Sequence, residues 1–500
     1  MTKSTGSEPS RPSLETDGPI TRDQFRRLAD RVLTLSPGEH TFVALRDSGS
    51  GTTRFANNQI VQNVNTRRMS LAVTVAFGRQ HGTSTVTDFG EEAIRDTVRK
   101  AADIARVSPV DPEYMPPLPP QDYAAISAAR EDTAAAGPQH RLALVGEAIG
   151  QCRAAQLIAA GIVTSSLTAV GVAANTGLFA YEPRTEAHFS VTAMGGDSSG
   201  WAANVHRSLQ ELEVAERTRV AIEKATRSVN PRELPPGRYT VILEPAAVSG
   251  LIGPMIWMLD AKSFYKRTNP FSGKLGRQVI DPRLSLQNRP DHSELLGNGF
   301  NGEGLPAGTR AWIENGVLKE LRYDRYTAQE HHVHPTPSFD APYLFGTPLT
   351  REFAAEEAAG AGTPGVQERA ASTTLHGQDL AATKAAGAEA AGALDPYPSL
   401  DDLIRTTERG ILVTNFWYIR SVNPTDLTLT GMTRDGTFLI EDGRLSTGLV
   451  NFRWHESPLR VLAHVDAFTA PANAVTNESW KMQLPALKLH DFNFSSVTRF

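Results

Sequence analysis

The chain has 500 residues, of which 40% are apolar and 21% are charged. This length exceeds what one hydrophobic core usually takes, so we expect at least two packing units. The 50 basic and 55 acidic side chains give a net charge of −5. Nucleic-acid footprints and polybasic membrane surfaces both need clustered positive charge. We therefore expect neither a nucleic acid nor a membrane as a partner.

The cysteine content and the N-terminal residues bear on the cellular compartment. Cys152 is the single cysteine of the chain, and it cannot form an internal disulfide or a Cys-rich zinc site. Residues 1–20 contain no apolar stretch of the kind that forms a signal core, and the longest apolar run, 246–259, is interrupted by glycine and proline. We expect a soluble, cytoplasmic protein, with residues 1–20 as a disordered tail.

The first predicted domain covers residues 21–230 and combines a sheet with helices. Thr21 and Gln24 have the spacing of a capping box, and an apolar stripe of helical period follows them. Residues 69–77 alternate between large apolar and smaller side chains, and a glycine turn leads to a Thr-rich stretch, which predicts a β-hairpin. Cys152 lies on the apolar face of a later helix, so it is predicted to be a core residue rather than a nucleophile.

The second predicted domain, residues 236–500, is rich in strands. A Pro-rich segment, 230–237, separates it from the first domain. The pairs Asn315-Gly316, Asp435-Gly436 and Asp442-Gly443 are each typical of a type I′ hairpin. Residues 411–419 are predicted to form one buried strand, because they carry bulky side chains on both faces. We expect an α+β protein whose C-terminal domain is of barrel or sandwich type.

An Ala/Gly-rich stretch, residues 351–394, interrupts this second domain. It contains helix formers but no broad apolar stripe, so it cannot bury enough surface to define a core of its own. We interpret it as an inserted surface excursion.

Histidines offer one candidate metal site. We find no H-E-x-x-H motif, no Walker A loop and no G-x-S-x-G elbow in the sequence. Its histidines concentrate at His331, His332 and His334. Positions i and i+3 can converge on one metal ion if the backbone turns, and Glu330 or Asp340 can add an oxygen ligand. The alternative is a polar loop, near prolines, whose histidines face solvent or a partner.

A basic cluster offers a candidate anion site. Lys266, Arg267, Lys274 and Arg277 flank two glycines, and cations in this arrangement can hold a substrate carboxylate. A solvated loop is the alternative interpretation. Lys274 and Arg277 are therefore candidate substrate-binding residues.

Several segments, taken together, resemble a known family. No one of them is decisive, but their order and spacing are those of the TldD/TldE (PmbA) proteins, which include zinc metallopeptidases. The segments are Arg54–Asn58 with Gln62-Asn63, Val241–Val248, Ser272–Val279, Glu303-Gly304, Tyr323–Tyr326, Gly410–Thr414, Leu429–Gly436, Asn451–Arg453 and Glu456–Pro458.

The resemblance implies a particular kind of subunit. In the family, the TldD-type subunit carries H-E-x-x-x-H on the helix that follows the equivalent of Val241–Glu244, and a later cysteine completes its zinc site. Residues Ala246–Trp257 of this chain contain none of these ligands, and Leu484–Leu489 contain no cysteine. The chain therefore resembles the TldE-like subunit, which lacks the zinc-binding motif.

That likeness implies a partner and a substrate. A TldE-like chain is a non-catalytic subunit of a heterodimeric zinc metallopeptidase that acts on short, unfolded or modified peptides. It completes the substrate cavity, while zinc is expected in the TldD-like partner and no cofactor in this chain. Within the matching segment Tyr323–Tyr326, Tyr323 and Arg325 are candidates for substrate binding. A homodimer is the alternative assembly.

The chain also departs from the family pattern. The stretch 351–394 is longer than usual, Glu330–Val333 replaces a loop of the Arg-Glu-Gly-Val sort, and His455 stands where asparagine is common. These departures indicate either a specialised partner or substrate, or a fold repurposed as an enzyme of natural-product biosynthesis with its own active site. A peptide-binding scaffold is a separate, third hypothesis.

Overall fold

The computed structural model describes residues 18–337, 339–347, 397–476 and 480–498. The predictions for residues 1–17 and 351–394 lie outside these ranges. Ile20 is buried, and its backbone N–H donates to Asp47 Oδ2 at 2.8 Å. Packed structure therefore begins before Thr21.

The first half of the chain is one antiparallel sheet with helices, as predicted. The strands follow the order β3-β2-β1-β4-β5-β6. The strands are β1 (His40–Ala56), β2 (Gln59–Phe77), β3 (Gln80–Val86), β4 (Ile158–Ala174), β5 (Phe179–Met194) and β6 (Ser199–His206). The helices are α1 (Arg22–Leu35), α2 (Glu91–Val107), α3 (Glu131–Ala134), α4 (Pro138–Ala154) and α5 (Val214–Arg227), with a 3₁₀ turn at Gln210–Leu212.

Local signals placed these elements well. The Thr21 hydroxyl accepts from Gln24 N, and the Gln24 side chain accepts from Thr21 N, which confirms the capping box of α1. The hairpin of β2 and β3 is also confirmed. Cys152 of α4 is buried in a hydrophobic core, and burial raises the pKa of its thiol to about 11. A thiol in this state is a core residue, as predicted.

The second half is rich in strands, and a new set of sheets begins after α5 ends. Its helices are α6 (Pro245–Trp257), α7 (Ala261–Tyr265), α8 (Arg325–Glu330), α9 (Leu400–Arg405) and α10 (Pro458–Val461). Its strands are β7 (Gly237–Leu243), β8 (Leu284–Asn288), β9 (Arg310–Glu314), β10 (Val317–Leu318), β11 (Pro342–Gly346), β12 (Arg409–Val413), β13 (Phe416–Asn423), β14 (Thr428–Thr433), β15 (Thr437–Glu441), β16 (Arg444–Gly448), β17 (Phe452–Glu456), β18 (Val465–Phe468), β19 (Ala472–Val475), β20 (Lys481–Leu484) and β21 (Leu487–Val497).

These strands form two sheets within the described residues. A nine-stranded sheet follows the order β13-β14-β17-β21-β7-β12-β15-β16, with β18 paired to β21, and it curves into a half-barrel. A six-stranded sheet follows the order β10-β9-β8-β11-β20-β19. Val248, Leu251, Ile252 and Met255 of α6 belong to one hydrophobic core together with residues of β7, β12 and β21. The α+β class and the β-rich C-terminal half are confirmed.

Two of the three predicted hairpins are confirmed. Asn315-Gly316 joins the paired strands β9 and β10, and Asp442-Gly443 joins β15 and β16. All four residues have φ between 48° and 75°, as a type I′ turn requires. The Asp435-Gly436 prediction is wrong, because β14 pairs with β13 and β17, whereas β15 pairs with β12 and β16.

The single buried strand predicted for residues 411–419 is also wrong. Strand structure is interrupted at Thr414-Asn415, and β12 and β13 lie in separate parts of the nine-stranded sheet. Trp417 and Tyr418 on β13 are exposed by 38% and 53%. Bulky residues on both faces here mark a strand that borders a cavity rather than one buried in a core.

No helix in the described part of the chain has the length and apolarity to cross a bilayer.

Candidate functional site

Helix α6 forms one wall of a concave site. Pro245 occupies its first turn, where a missing N–H costs nothing. The side of the helix that faces the concave site carries small groups, among them Ala246, Ser249, Gly250 and Gly253. Small groups let β13 approach closely. A Cβ added at Gly250 would lie only 2.6 Å from Ile419 Cδ1.

The concave site is a cavity of about 770 Å³ between α6 and β13. That volume lies within the usual range for small-molecule and peptide side-chain sites. Most of the lining is apolar or aromatic. The lining residues are Ala246, Ser249, Gly250, Gly253, Pro254, Ile256, Trp257, Met258, Arg322, Phe339, Asp340, Asn415–Ser421, Leu427, Leu429, Thr476 and Trp480.

Aromatic side chains stand at the mouth of the cavity. Trp257, the last residue of α6, is 63% exposed and meets Trp480 edge-on, with ring centroids 6.5 Å apart. Trp417 and Tyr418 project from the opposite wall. Exposed aromatic groups at a cavity rim offer large contact area to a bound chain or partner.

The backbone of β13 is distorted where it meets the cavity. Tyr418 has φ of 54°, a left-handed conformation that costs energy for a residue with a Cβ. The register between β13 and β14 shifts between Trp417 and Arg420. The Arg420 guanidinium lies 4.1 Å from the centre of the Tyr418 ring, and Arg434 lies 4.8 Å from that of Trp417. These contacts hold the two rings at the cavity wall.

Asp340 is the acidic residue among the described residues of the lining. Its Oδ2 accepts a short hydrogen bond from Asn298 Nδ2, whereas its buried Oδ1 has no hydrogen-bond partner among the described residues. Burial raises the pKa of Asp340 to about 6, which the Asn298 hydrogen bond and the charge of Arg184 only partly oppose. This carboxyl therefore holds a proton at mildly acidic pH.

The donor set of the cavity does not suit a catalytic zinc ion. Zinc in enzymes takes imidazole nitrogen, thiolate sulfur or carboxylate oxygen, usually from three side chains. On the cavity side, α6 presents methyl, methylene, hydroxyl and indole groups. Throughout the described ranges, no group of three or more His, Cys, Asp and Glu residues has the geometry to hold a metal ion.

The substrate-binding candidates from the sequence lie elsewhere. Lys274 and Arg277 are exposed on the loop between α7 and β8. Tyr323 is buried, and its hydroxyl lies 3.0 Å from that of Tyr265. Burial and the hydrogen bond with Tyr265 both raise the pKa of Tyr323. Arg325 lies 3.7 Å from Glu303 and donates to Pro116 O. Among the described lining residues of the cavity, none of these four candidates occurs.

The three clustered histidines follow helix α8 and are exposed. His331 caps the helix and stacks on Tyr265, with ring centroids 3.4 Å apart and an interplanar angle of 10°. His332 has φ of 53°. Neither Glu330 nor Asp340 completes a set of three metal ligands with them in the described structure. The ring stack fixes His331 beside Tyr265 instead.

No G-x-S-x-G elbow is expected from the sequence, yet one segment has this spacing. Gly196-Asp-Ser198-Ser-Gly200 has the G-x-S-x-G spacing of a hydrolase nucleophile. It lies in the hairpin between β5 and β6 rather than in a strand-to-helix turn. The adjoining pocket of about 240 Å³ has no histidine among its described lining residues. The spacing alone therefore does not build a catalytic serine.

The cavity aromatics are the site residues that sequence reasoning did not single out. Trp257, Trp417, Tyr418 and Trp480 come from three separate segments of the chain. The one sequence feature that points to the cavity is the run of bulky residues after Asn415. From the sequence alone, this run predicts a core strand. Only the fold brings these side chains to one cavity.

Comparisons with known proteins show the family. The model described as the PmbA/TldA metallopeptidase C-terminal domain matches residues 236–350 and 381–496. The model described as PmbA/TldA metallopeptidase domain 1 matches residues 43–105. Together these matches cover more than half of the chain.

Two curated relatives agree with these matches. A protein named metalloprotease PmbA homolog, from Haemophilus influenzae, is 24% identical over 56% of this chain and 65% of its own length. Metalloprotease PmbA from Escherichia coli O157:H7 is 23% identical over 52% of this chain and 60% of its own length. The chain thus matches a little under two thirds of each relative.

Solved structures share the fold. TldE from Thermococcus kodakarensis superposes with a TM-score of 0.77 at 17% identity, over 94% of this chain and 100% of that chain. A Thermotoga maritima protein described as a modulator of DNA gyrase gives a TM-score of 0.75 at 17% identity, over 94% and 99%. The domain order, the sequence matches and the architecture agree, and the chain belongs to the TldD/TldE (PmbA) family.

Proposed function

We propose that this chain is the metal-free, non-catalytic subunit of a TldD/TldE-type zinc metallopeptidase. In this role it forms part of the cavity that holds a short, unfolded or modified peptide in the cytoplasm. A TldD-like subunit would carry the zinc ion and activate the hydrolytic water. One observation carries the proposal: the cavity lies against α6, and α6 offers that cavity no metal ligand.

The shape and lining of the cavity support a peptide as the bound molecule. One wall is the small-residue side of α6, and the other is β13 with its exposed Trp417 and Tyr418. An apolar or aromatic peptide side chain buried there would displace water from these rings and from Trp257. The chain's contribution to catalysis would be binding and orientation, which lower the barrier by holding the scissile bond near the partner's metal.

Reconstitution tests this proposal. The purified chain, a TldD-like protein bearing H-E-x-x-x-H, and their mixture are each given an unfolded peptide, and cleavage is followed by mass spectrometry. We expect no cleavage by this chain alone and cleavage by the mixture. A variant of the partner with both motif histidines changed to alanine should abolish activity, whereas cleavage by the present chain alone would contradict the proposal.

A second candidate function is an enzyme with its own active site. The observation that favours it is Asp340, a carboxyl at the cavity wall with a pKa of about 6, whose Oδ1 has no hydrogen-bond partner in the part of the chain that the structure describes. Groups with such shifted pKa values are candidates for acid–base chemistry near neutral pH. Under this alternative, Asp340→Asn would abolish turnover of a cavity-bound substrate in the absence of any partner.

A further inference from the structure

Another concave site lies beside strand β5 of the N-terminal sheet. Strand β6 pairs only with residues 187–194 of β5. The earlier part, residues 179–186, has β4 on one side and no strand of the described structure on the other. Residues 114–130 run along this free side and contain no helix, strand, turn or bend. We call residues 122–128 the strap, because they pass alongside β5 without joining its sheet.

The strap is fixed at both ends. At one end, Thr185 N of β5 donates to Ala128 O at 2.9 Å. At the other end, the Tyr123 hydroxyl donates to Gly304 O at 2.8 Å, and the Tyr123 ring packs in the same small core as Ala180 of β5. Tyr123 thus lies near Ala180, and Ala128 lies next to Thr185. The strap therefore runs parallel to β5.

A slot of about 560 Å³ separates the strap from β5 between these two ends. The volume falls in the usual range for ligand sites. The residues that line the slot are Arg22, 121–129, 179–183, Gly299 and Phe300. Among the described lining residues, none is shared with the cavity at α6. The slot is therefore a separate site.

Both walls of the slot present backbone groups without a partner. Because Thr185 N points at the strap, the alternate residues Phe179, Tyr181 and Pro183 also direct their backbone groups away from β4. These groups form no hydrogen bond with another described residue, and the same holds for the backbone of residues 122–125. Pro183 has no N–H to lose, which suits a strand edge. Backbone groups in this position need water or another chain as a partner.

We infer that the slot binds an extended peptide segment as an additional strand between β5 and the strap. Such a strand would have hydrogen-bonding neighbours on both sides, which is how peptides add to exposed sheet edges. Because β5 and the strap run parallel to each other, a peptide that is antiparallel to one is antiparallel to both. Antiparallel pairing is the slightly more stable arrangement.

The side chains around the slot suit an apolar, uncharged peptide. Phe179 and Tyr181 belong to the core on one face of the sheet, and Tyr123 and Phe300 belong to the core on the other. All four rings line the slot, and residues 124–125 of the strap are alanines. Alternate side chains of a strand point to opposite faces. Apolar side chains of the peptide would therefore contact aromatic rings on both faces.

The N-terminal segment of the chain itself is the competing occupant, since Arg22 lines the slot. Ile20 N donates to Asp47 Oδ2 of β1 at 2.8 Å, and Ile20 O accepts from the Tyr181 hydroxyl of β5 at 2.6 Å. The described chain therefore runs from β1 toward β5, and β4 lies between these two strands. Residues 1–17 join it from the side of β1, away from the slot. A separate peptide is the occupant that the observations favour.

Hydrogen–deuterium exchange followed by mass spectrometry tests the inference on the full chain. The probe is the peptide acetyl-Val-Thr-Val-Thr-Val-amide. We expect the amides of residues 122–125, Phe179 and Tyr181 to exchange fast in the free chain, because they have no hydrogen-bond partner among the described residues. Their exchange should slow about tenfold when the peptide is present at ten times its dissociation constant. The same peptide with N-methyl groups on both threonines keeps its side chains but should give no protection.

Two proline variants of the strap serve as each other's control. Ala124→Pro and Ala125→Pro each remove one backbone N–H from an extended segment. Successive N–H groups of an extended chain point in opposite directions, so one of the two faces the slot. Only that variant should weaken binding of the probe, by about tenfold in a calorimetric titration. Thermal unfolding reports whether each variant is folded.

The outcomes separate the slot from the cavity. Protection at the strap and β5 supports the inference even if β13 shows none and the proposed function fails. Protection confined to β13, equal protection by the methylated peptide, or equal affinity in both folded proline variants would overturn it. Slow exchange at the strap of the free chain that becomes fast after removal of residues 1–17 would also overturn it, because the slot would then belong to the N-terminal segment.

Discussion

The wall of the cavity carries few polar side chains, whereas the contact between the two halves of the chain is built from buried charged ones. We call this contact, in which Glu182 and Arg207 meet Gly297 and Gly299, the seam. At the wall, α6 and β13 present small and aromatic groups. At the seam, Glu182 of β5 accepts from Gly299 N at 3.1 Å, and Arg207 donates to Ala128 O at 2.7 Å and to Gly297 O. Both charged residues are buried. The buried charges of Glu182 and Arg207 therefore hold the two halves of the chain together. The cavity wall, in contrast, offers small and aromatic groups to a bound molecule.

The largest expected effect is at the seam. Arg207→Met removes a buried guanidinium that lies near Glu182 and satisfies two backbone carbonyls. Glu182 keeps its ion pair with Arg184, but the two buried carbonyls each lose the arginine as a donor, which typically costs about 1–3 kcal/mol of the free energy of unfolding for each. Chemical denaturation would measure this loss. Arg219→Met, at an exposed arginine of α5, is the control and should change little.

The raised pKa of Asp340 predicts that the stability of the folded state depends on pH. Its pKa of about 6 in the folded state exceeds the ordinary aspartate value of 3.8, so between these values the native state binds more protons than the unfolded state. Stability should therefore fall as pH rises from about 4 to about 6, by at most about 3 kcal/mol. Denaturation at several pH values should show this fall in the wild type and lose it in Asp340→Asn. An unchanged pH profile in the variant would refute the assignment.

Peptide binding at the cavity mouth should depend on Trp257. Trp257→Ala removes an exposed ring from the rim, so the affinity for an unfolded peptide should fall about tenfold or more, or about 1.4 kcal/mol. Isothermal titration calorimetry would measure it. Stability should barely change, because the ring is mostly exposed. Leu275→Ala, at a residue 40% exposed outside the cavity lining, is the matched control; an equal loss in both variants would contradict a specific role for the rim.

The smallest expected effect separates binding from folding at Tyr418. Asparagine tolerates the left-handed conformation better than tyrosine, so Tyr418→Asn should leave the free energy of unfolding unchanged or raise it by up to about 1 kcal/mol. The same change should weaken peptide binding, since the ring at the wall is lost. Denaturation and calorimetry on one preparation would test both statements. Loss of stability without loss of affinity would show that Tyr418 serves only the scaffold.

How far the sequence predicted the fold depended on how local each signal was. The capping box at Thr21 and the turns at Asn315-Gly316 and Asp442-Gly443 need only neighbouring residues, and all are confirmed. The turn at Asp435-Gly436 looks the same in sequence, yet it leads from one strand pair to another. Strand partners are set by the whole sheet, so no local pattern distinguishes the two cases.

The cavity was harder to predict for the same reason. Its wall joins α6, β13 and Trp480, which lie far apart in sequence. The absence of metal ligands on Ala246–Trp257 is evident in the sequence, but the sequence does not show that this helix lines a cavity. The candidates Lys274, Arg277, Tyr323 and Arg325 were chosen from local charge or from family likeness, and neither signal contains the geometry of the cavity.

The metal content of the isolated chain tests the central claim most directly. The purified protein is incubated with excess zinc, dialysed and analysed by native mass spectrometry together with elemental analysis. The account predicts the mass of the bare polypeptide and zinc far below one ion per chain. One tightly retained zinc ion per chain would contradict it, because α6 would then not be the ligand-free wall on which the proposed division of labour rests.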